Sequence, residues 1–409
     1  MSEKIAVVGL GYVGLLLLKL LSHSKNEVIG IDIDEEKINK IKKLLVKSKV
    51  TNDFSNIYEC NIVIICVPTP AENGKLNTEF FKNAIIDIGK YLSNKALIIN
   101  ESTLGIGMTR KYVTQIMNKK YNKIINTDYY LACCPERIDP LNNKYNIKNI
   151  NRVCGASSDE ALEKTYNFYK SIINAKIMKM KSIEECELVK CWENSIRNIS
   201  IAESNLLAQI CDDYKFDVKK VIEGLNTKVE QFELKIAYPG LGPGGHCIPE
   251  DIHYLIDTIE YNTNVNMDLF KEAIKVNETM PQYIFNKLEK LKVNKNVNLL
   301  FLGISYKANS DDLRHSQALK LLNLLKQEYN DIKVYDPFVN NKITNILNDL
   351  ELNNELEKAD IVILGCPHDK LKNIKFEDYT NIKIILDCWN VLDREKLVKS
   401  GKKYIGVGE

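Results

Sequence analysis

The sequence contains no run of about 18 consecutive apolar residues, the length that a membrane-spanning helix needs. The amino terminus, MSEKIAVVGLGYVG, lacks the basic, apolar and small-residue regions of a cleavable signal peptide. There is no excess of charge of one sign either, because 56 Lys and Arg stand against 54 Asp and Glu, a net charge of +2. This balance gives no electrostatic argument for a nucleic acid or membrane partner. We expect a cytoplasmic protein that acts on a small molecule.

Paired cysteine spacings are also missing, although the chain has 11 cysteines. Several lie in apolar runs, as Cys66, Cys154 and Cys388 do. Cys133 and Cys134 are adjacent, which suits neither a zinc site nor an ordinary disulfide. We therefore expect no metal, and we expect most of these thiols to be buried and inert.

The 409-residue chain does contain two regions in which short β-branched segments alternate with helical ones. The first region holds KIAVVGLG, EVIGIDID, NIVIICVP, KALIINES and DYYLACCPER, and the second holds VNLLFLGI, IKVYDP, DIVILGCP and IKIILDCW. Such alternation predicts two parallel sheets covered by helices. Between them, from about residue 182 to 225, lies SIEECELVKCWENSIRNISIAESNLLAQICDDY, which lacks Gly and Pro and repeats its apolar residues every three or four positions. This segment predicts a long helix that bridges two α/β domains.

A glycine pattern follows the first predicted strand. Gly9, Gly11 and Gly14 form GxGxxG between KIAVV and an apolar helix. This spacing allows a tight turn, a close approach of a pyrophosphate, and packing of the helix on the strand with its positive end towards the phosphates. Asp32, eighteen residues after Gly14, can bind the ribose hydroxyls of NAD and would repel the 2′-phosphate of NADP. We therefore predict NAD binding; the alternative is that the glycines only shape a turn.

The bridge helix carries a polar stripe formed by Glu187, Lys190, Asn194 and Arg197. Residues three and four apart share a helix face, so Lys190 and Asn194 point the same way. A solvated face is the alternative interpretation. The apolar flanks of the stripe and the expected place of the helix between domains favour a functional role.

The loop PGLGPGGHCIPED, residues 239 to 251, gathers four glycines and three prolines around Cys247. The glycines would leave backbone and thiol accessible to a ligand, as a nucleophile requires. Asp251 lies within one turn if the chain becomes helical after Pro249, and it could then act as a base beside the sulfur. His246 either activates the thiol or holds the loop by hydrogen bonds, and we favour the structural role.

These motifs together resemble the nucleotide-sugar 6-dehydrogenases, the UDP-glucose/GDP-mannose dehydrogenase family, nearly end to end. The matching motifs are VVGLGYVG, GIDID, IICVPTP at 64–70, NEST at 100–103, CPERI at 134–138, ELVKCWEN at 187–194, GGHCIPED at 244–251, LGISYKANSDDLRHS at 302–316 and VYDP at 334–337. The resemblance implies an α/β fold class in which two Rossmann-like doubly wound parallel-sheet domains are joined by a helical middle domain with a long central helix. The implied domains are an NAD-binding Rossmann domain over 1–180, a central dimerisation domain with the Cys loop over 181–285, and a UDP-sugar-binding domain over 286–409.

The family resemblance also implies a reaction. A sugar C6 alcohol is oxidised to a carboxylate in two hydride transfers to two NAD+, and no free aldehyde is released. Cys247 matches the nucleophile, which traps the aldehyde as a thiohemiacetal that is oxidised to a thioester and hydrolysed. A thiol is needed because an aldehyde held for a second oxidation requires a covalent handle.

Roles for other matched residues follow from the same resemblance. Lys190 and Asn194 match residues that stabilise charge on the C6 oxygen, and Lys190 takes part in deprotonating the alcohol. Asp251 matches an Asp that assists proton transfer near the thiol, and Thr103 and Glu136 match residues that position or activate the hydrolytic water. The implied NAD contacts are Gly9, Leu10, Gly11, Tyr12, Val13, Gly14, Asp32, Lys37, Pro68, Thr69, Ser102, Thr103 and Arg314. The implied substrate contacts are Glu136, Arg137, Lys190, Asn194, Tyr238, Gly240, Gly242, Gly244 and Lys307.

Some positions depart from the family pattern. After NEST the sequence has LGIGMT where the family has a proline before its glycine, which changes the backbone expected near Thr103. His315 and Gln317 alter the usual RESP stretch, and Glu233 stands where the acetamido-sugar branch commonly has an Arg. GGHCIP resembles the branch that oxidises UDP-N-acetylglucosamine or UDP-N-acetylmannosamine. We therefore expect a UDP-N-acetylhexosamine as substrate, with UDP-glucose as the alternative.

Two other classes compete with this interpretation. Two-domain, single-hydride dehydrogenases for hydroxyacids share the first domain and a Lys/Asn helix, but they need neither Cys247 nor the strands after residue 297. An NAD-binding regulator without catalysis would have no reason to keep Lys190, Asn194 and Cys247 together. The resemblance further implies a homodimer formed through the central helical domain, and uronic acid supply for a surface polysaccharide or glycoprotein glycan.

Overall fold

The computed structural model describes residues 3–45, 48–72, 75–138, 146–228, 237–339 and 346–409. The chain divides into two compact units. The first unit comprises Met1–Asn194 with Glu250–Val265, and the second comprises Ser195–Pro249 with Asn266–Glu409. The three domains with boundaries after residues 180 and 285 stay a prediction.

An eight-stranded sheet runs through the first unit in the order β10-β9-β8-β7-β4-β1-β2-β3. Its neighbouring strands pair in parallel, except for the antiparallel pair β8 and β9. That pair differs from the all-parallel sheet predicted from the sequence, and an antiparallel pair needs no crossover helix. The strands are β1 Lys4–Val8, β2 Glu27–Ile31, β3 Lys49–Thr51, β4 Ile62–Ile65, β7 Ala96–Asn100, β8 Tyr129–Cys133, β9 Arg152–Ala156 and β10 Ile177–Lys179, with the hairpin β5 Ala71–Glu72 and β6 Lys75–Leu76 outside the sheet.

The central strand β4, IVII, is apolar at every position, and β1 and β7 are apolar except for Lys4 and Asn100 at their ends, because both faces of the sheet are covered. Along β1, Ile5 and Val7 enter one hydrophobic cluster, whereas Ala6 and Val8 enter the cluster on the opposite face. The strand order reverses where β1 lies between β2 and β4, which is where ligands bind in open sheets of this kind. The accompanying helices are Tyr12–Leu21, Glu35–Leu44, Glu79–Tyr91, Met108–Tyr121 and Asp159–Ile172, with a 3₁₀ turn at Phe54–Ile57.

The predicted bridge helix is confirmed over Ile183–Tyr214, which is 32 residues long. It ends before Lys215, whose φ of 58° lies in the left-handed region. A second helix, Val218–Asn226, then begins behind Asp217, whose side chain accepts hydrogen bonds from the backbone N–H groups of the next turn. The stretch up to residue 225 is therefore two helices and not one.

The second unit contains a five-stranded, entirely parallel sheet in the order β12-β11-β13-β14-β15. Its strands are β11 Leu299–Leu302, β12 Ile332–Tyr335, β13 Ile361–Leu364, β14 Ile384–Asp387 and β15 Lys403–Ile405. Both faces are covered, since Leu299 and Phe301 enter one cluster while Leu300 and Leu302 enter another. Two doubly wound sheets and a long connecting helix confirm the predicted fold class.

The remaining helices of the described residues lie after Pro239. They are Cys247–Asn262, Asp268–Glu289, Gln317–Glu328, Asp349–Leu356, Asp369–Lys372 and Arg394–Lys399, with a 3₁₀ turn at Phe376–Asp378. Like the bridge helix, the helix Cys247–Asn262 contributes residues to both units. Within the described ranges, every helix is too short or too polar to cross a membrane.

Candidate active site

The glycine turn lies at the end of the central strand β1. Gly9 has a φ of +90°, and a Cβ atom there would lie 2.8 Å from the backbone of Cys66, so only glycine fits. A Cβ on Gly14 would lie 1.9 Å from the Gly9 carbonyl oxygen. A Cβ on Gly11, in contrast, would have no atom of the described residues within 4 Å. The turn is tight at Gly9 and Gly14 and open at Gly11, which fits the approach of a dinucleotide pyrophosphate.

Asp32, at the end of β2, is buried beside this turn. Its Oδ2 accepts hydrogen bonds from the Leu10 N–H at 2.7 Å and from Lys37 Nζ at 3.0 Å, while its Oδ1 accepts one from the Asp34 N–H at 3.0 Å. The structure thus places the Lys37 ammonium on Asp32 itself. A carboxylate held here fits the ribose hydroxyls of NAD.

The loops after β4 and β7 are hydrogen-bonded to each other at the same edge of the sheet. The Thr69 hydroxyl donates to the Thr103 carbonyl at 2.7 Å, and the Ser102 hydroxyl donates to the Val67 carbonyl at 2.7 Å. Pro68, which lies between Val67 and Thr69 in the sequence, is exposed. Because carboxyl ends of parallel strands share one edge, the predicted contacts Thr69, Ser102 and Thr103 lie together on the edge that carries Gly9.

Glu187 explains how the turn after NEST is held without the family's proline. Its carboxylate accepts hydrogen bonds from the Gly107 N–H at 2.6 Å and the Thr109 N–H at 2.9 Å. The Cys191 thiol donates to the Leu104 carbonyl at 3.4 Å. Burial raises the pKa of Glu187 to about 7, although these hydrogen bonds act to lower it. The sequence had placed Glu187 in the polar stripe, but only the contacts reveal this anchoring role.

Lys190, Asn194 and Asp251 are all buried in the first unit. The Asn194 amide donates to Asp251 Oδ2 at 2.5 Å. Burial raises the pKa of Asp251 to about 6, and the Lys190 charge and the Asn194 hydrogen bond act in the opposite direction. A carboxyl with a pKa near neutrality can both take and return a proton.

Glu136 joins this group. It is also buried, and burial raises the pKa of its carboxyl while the charges of Arg152 and Lys190 act to lower it. Lys190 is therefore close enough to both Glu136 and Asp251 to influence their ionisation. The structure brings together four of the six residues for which catalytic roles were predicted.

Arg137, a predicted substrate contact, has partners within its own unit. Its Nε donates to Glu193 Oε2 at 2.8 Å, and its Nη1 donates to the Asn151 carbonyl at 3.3 Å. The guanidinium is thus oriented by the bridge helix. Contact with substrate stays a prediction for this residue.

Cys247 is the first residue of the helix Cys247–Asn262, and it is the exposed one of the 11 cysteines. Nine of the others are buried and Cys66 is half-buried, as predicted for inert thiols. The positive end of a helix favours a developing thiolate at this position. The helix begins three residues earlier than expected, and Asp251 follows Cys247 by about one turn, as predicted.

The glycines of the Cys loop have a packing role. Gly242 has a φ of +97°, which favours glycine over any residue with a Cβ. The nearest neighbours of a Cβ built on Gly240, Gly242 and Gly244 are Trp389, Asn277 and Tyr306, at 2.5, 2.7 and 2.5 Å respectively. The sequence suggested that these glycines keep the thiol accessible, whereas the structure shows that they also admit close neighbours from the second unit itself.

The DLRHS segment supports the same loop. The Arg314 carbonyl accepts a hydrogen bond from the Gly245 N–H at 2.9 Å, and Gln317 Nε2 donates to the Pro243 carbonyl at 3.1 Å. The Arg314 guanidinium pairs with Asp312, with Nη2 and Oδ2 2.5 Å apart. The reach of Arg314 towards NAD stays a prediction.

The other predicted positions are less constrained. Tyr12 and Tyr238 are exposed, Val13 and Lys307 are half-buried, and His246 is exposed beside Cys247. Glu233 lies outside the described residues. Arg152, which the sequence did not single out, is fully buried, with Nη1 3.2 Å from Glu101 Oε2. A charged residue in an otherwise apolar strand was the available signal.

Profiles of the UDP-glucose/GDP-mannose dehydrogenase family match three successive parts of the chain. The NAD binding domain matches residues 3–48 and 44–173, the central domain matches 184–279, and the UDP binding domain matches 300–394. The chain belongs to this family and is an NAD-dependent oxidoreductase. The recognition, the fold class and the cofactor predicted from the sequence are thereby confirmed.

Individual relatives cover nearly the whole chain. A UDP-N-acetyl-D-mannosamine dehydrogenase of Methanocaldococcus jannaschii is 32% identical, over 100% of this chain and 97% of its own. A UDP-N-acetyl-D-glucosamine 6-dehydrogenase of Salmonella typhi is 28% identical, over 92% of each. Among solved structures, a UDP-D-ManNAc dehydrogenase of Pyrococcus horikoshii superposes with a TM-score of 0.89 at 29% identity, over 99% of both chains.

Proposed function

We propose that this enzyme oxidises the C6 hydroxymethyl group of a UDP-N-acetylhexosamine to the carboxylate, with UDP-N-acetylmannosamine as the first candidate. The presence of Cys247 as an exposed thiol at a helix start is the observation that carries the four-electron chemistry. The sugar is supported by the names of relatives such as the Methanocaldococcus jannaschii enzyme and by the GGHCIP motif. The manno epimer comes first because five of the relatives most similar in sequence carry that name.

In the first oxidation, Asp251 receives the C6 hydroxyl proton while Lys190 and the Asn194 amide donate hydrogen bonds to the oxygen as negative charge develops. Bound NAD+ supplies the hydride acceptor. The buried setting strengthens these contacts, because fixed donors act more strongly where water is excluded. The product of this step is an aldehyde.

In the second oxidation, the Cys247 sulfur bonds to the aldehyde carbon, and the thiol proton balances the new hydroxyl of the thiohemiacetal. Removal of a second hydride and that hydroxyl proton leaves a thioester. Glu136 activates a water, held with the help of Thr103, that attacks the thioester carbon and releases the carboxylate and the thiol. One alcohol thus consumes two NAD+ and one water.

The defining experiment offers purified protein NAD+ with UDP-N-acetylmannosamine, UDP-N-acetylglucosamine, UDP-glucose or GDP-mannose, and counts NADH per sugar. Two NADH per sugar and the highest kcat/KM with an acetamido sugar are expected. A ratio of one would exclude the four-electron reaction. Preference for UDP-glucose would establish the alternative substrate, and no turnover with any donor would favour a regulator.

Cys247→Ser tests the nucleophile. The variant is expected to oxidise the alcohol once and to form little acid, because a serine hydroxyl is a far weaker nucleophile than a thiolate and does not hold the aldehyde for the second oxidation. Cys247→Ala, which lacks any nucleophile, should behave the same way. Wild-type amounts of uronate from either variant would remove Cys247 from its role.

We further propose a homodimer that buries one face of the bridge helix. This helix exposes large apolar side chains at helical spacing, between 38% and 50% accessible: Leu188, Trp192, Ile196, Leu206 and Ile210. Such a stripe is typical of an interaction surface. Trp192→Glu should halve the mass measured by light scattering, whereas a monomeric wild type would refute the dimer. A cytoplasmic location and uronic acid supply for a surface glycan are parts of the same proposal.

A further inference from the structure

Three buried asparagines lie beneath the Cys loop in the second unit. Asn198 and Asn205 are on the bridge helix, Asn277 is in the helix Asp268–Glu289, and each is at most 2% exposed. Asn205 Nδ2 donates to Asn277 Oδ1 at 2.9 Å. Asn277 Nδ2 donates to both Asn198 Oδ1 and the Asn198 carbonyl at 3.0 Å. The three carboxamides are therefore joined in one chain of hydrogen bonds.

Both ends of this chain reach the backbone of the Cys loop. The Gly240 N–H donates to Asn205 Oδ1 at 2.9 Å, and Asn198 Nδ2 donates to the Ile248 carbonyl at 3.4 Å. Every asparagine thus accepts through its oxygen and donates through its nitrogen, in one direction from Gly240 to Ile248. The backbone groups at the two ends lie before and after Cys247.

We propose that Asn198, Asn205 and Asn277 form an amide relay that positions the Cys247 nucleophile by fixing both ends of its loop. The inference rests on the proposed role of Cys247. A carboxamide has an acceptor at one end and a donor at the other, so turning any one of the three breaks the bonds on both sides. An unmade hydrogen bond is costly in a dry interior, so the relay holds one arrangement of the loop.

Packing of the two helices alone does not account for this arrangement. Leucine at these positions would pack two helices without buried polar groups. Instead the relay ends on loop backbone atoms, and Gly242 brings the loop against the Asn277 carbonyl, 2.7 Å from a Cβ that a larger residue would add. The polar groups therefore serve the loop as well as the helices.

Asn277→Asp is the central test, because a carboxylate keeps the shape and can accept from Asn205 but cannot donate to Asn198. Asn286→Asp is the matched control on the same helix, where the exposed Asn286 accepts only from the nearby Gln282 side chain among the described side chains. Asn198→Ala is the milder variant, because it removes the contact to Ile248 and leaves the Asn198 carbonyl for Asn277. A variant is compared only below its own melting transition.

Amide hydrogen exchange provides a readout without turnover. In the full-length protein without substrate, exchange at Gly240–Ile248 should become faster in Asn277→Asp and in Asn198→Ala, and should stay at the wild-type rate in Asn286→Asp. Unchanged local exchange in both relay variants would overturn the proposal. Faster exchange spread evenly along the chain would also overturn it, since general destabilisation would then suffice.

Partition of the intermediate provides the second readout. Released aldehyde, trapped as an oxime and counted against uronate, should make up a larger share of product in the relay variants, with kcat/KM lowered by up to about a hundredfold because a misplacement of about 1 Å is that costly. A lower rate with an unchanged aldehyde share would contradict positioning of Cys247. If the Cys247 substitutions show that the thiol is not the nucleophile while loop exchange still responds, the proposed function fails and the structural relay stands.

Discussion

The two units contain nearly the same turn after their first central strand, but they use it differently. Gly9 and Gly303 have φ values of +90° and +81°, and their N–H groups donate to Ile31 and Tyr335 at the same distance of 2.8 Å. In each turn the following N–H donates to an aspartate at the end of the neighbouring strand. These bonds join Leu10 to Asp32 at 2.7 Å and Ile304 to Asp336 at 2.8 Å.

The difference lies in what else the aspartate holds. Both aspartates accept a hydrogen bond from the N–H two residues on, that of Asp34 at 3.0 Å and that of Phe338 at 2.9 Å. Asp32 also accepts from the partly exposed side chain of Lys37, whereas Asp336 accepts from the Ser305 hydroxyl at 3.0 Å, and its Oδ2 lies 3.1 Å from Nε2 of the buried His368. The next helix of the first unit begins three residues after Gly9, whereas that of the second unit begins at Gln317, well beyond Gly303. The same backbone turn is thus followed at once by a helix in one unit and by a longer segment in the other, and we propose that only the first turn presents its carboxylate to NAD.

We expect the largest difference between the two turns when each aspartate is replaced in a separate variant. Asp336→Ala leaves several buried donors without an acceptor, and we expect a loss of about 3–5 kcal/mol in the free energy of unfolding. Asp32→Ala should instead raise the Kd for NAD+ by roughly tenfold to a hundredfold, the value of a hydrogen bond to a charged group. Urea unfolding and NAD+ titration of both variants measure the contrast. If folded Asp336→Ala lost as much NAD+ affinity as Asp32→Ala, the two aspartates would not differ in function.

The shared glycine predicts equal effects in the two units. Gly9→Ala and Gly303→Ala should each cost about 3 kcal/mol, because a left-handed φ and a Cβ too close to neighbouring backbone act together. Gly11→Ala is the control, since its φ of −69° is ordinary and the added methyl has room. Its stability should stay close to that of the wild type while NAD+ binding weakens. If Gly303→Ala left the free energy of unfolding unchanged, the two turns would not be equivalent.

Acid should distinguish Asp336 from its neighbours. Burial acts to raise the pKa of Asp336, but hydrogen bonds from His368 and the backbone outweigh it and lower the pKa to about 2 from the ordinary 3.8. The ionised form is favoured in the folded state, so it contributes about 2 kcal/mol above pH 4 that is lost as the pH falls towards 2. Asp336→Asn should flatten the unfolding free energy over that window. An identical slope in variant and wild type would exclude this assignment.

The carboxyl of Asp251 should respond in the opposite direction. Its pKa of about 6 lies above the ordinary value, so ionisation is disfavoured in the folded state and stability is lost as the pH rises through 6. Activity should change the other way, with kcat/KM falling about tenfold per pH unit below 6 as the base becomes protonated. Asp251→Asn should remove both slopes. An acid limb that survives in this variant would assign it to another group, such as Glu187.

The sequence predicts best what is local and periodic. The bridge helix, the nine long strand segments, the GxGxxG turn and the one-turn spacing of Cys247 and Asp251 all depend on residues close together in the chain. The short strands β3, β10 and β15 were missed because three residues are too few to show a period. The five-residue strand β9, RVCGA, was missed as well, because an arginine and a glycine interrupt its apolar pattern, and its antiparallel pairing was missed because alternation does not encode strand direction.

Long-range polar contacts were not predictable in the same way. Periodicity identifies the buried face of a helix but not the residues that this face contacts. The hydrogen bond between Asn205 and Asn277, 72 residues away, was therefore not predictable. Glu187 illustrates the intermediate case. Its place in a polar stripe was visible, but its hydrogen bonds to Gly107 and Thr109 depend on how two distant segments pack.

The contrast between Cys247 and the other cysteines has a practical consequence. Burial raises the pKa of Cys60 and Cys154 to about 11 and that of Cys134 to about 12, so these thiols stay protonated at neutral pH. A maleimide added at neutral pH should therefore label the native chain once, at Cys247. The label would count native chains in any preparation, and protection by a UDP-sugar would test the proposed place of Cys247 beside the substrate without a turnover assay.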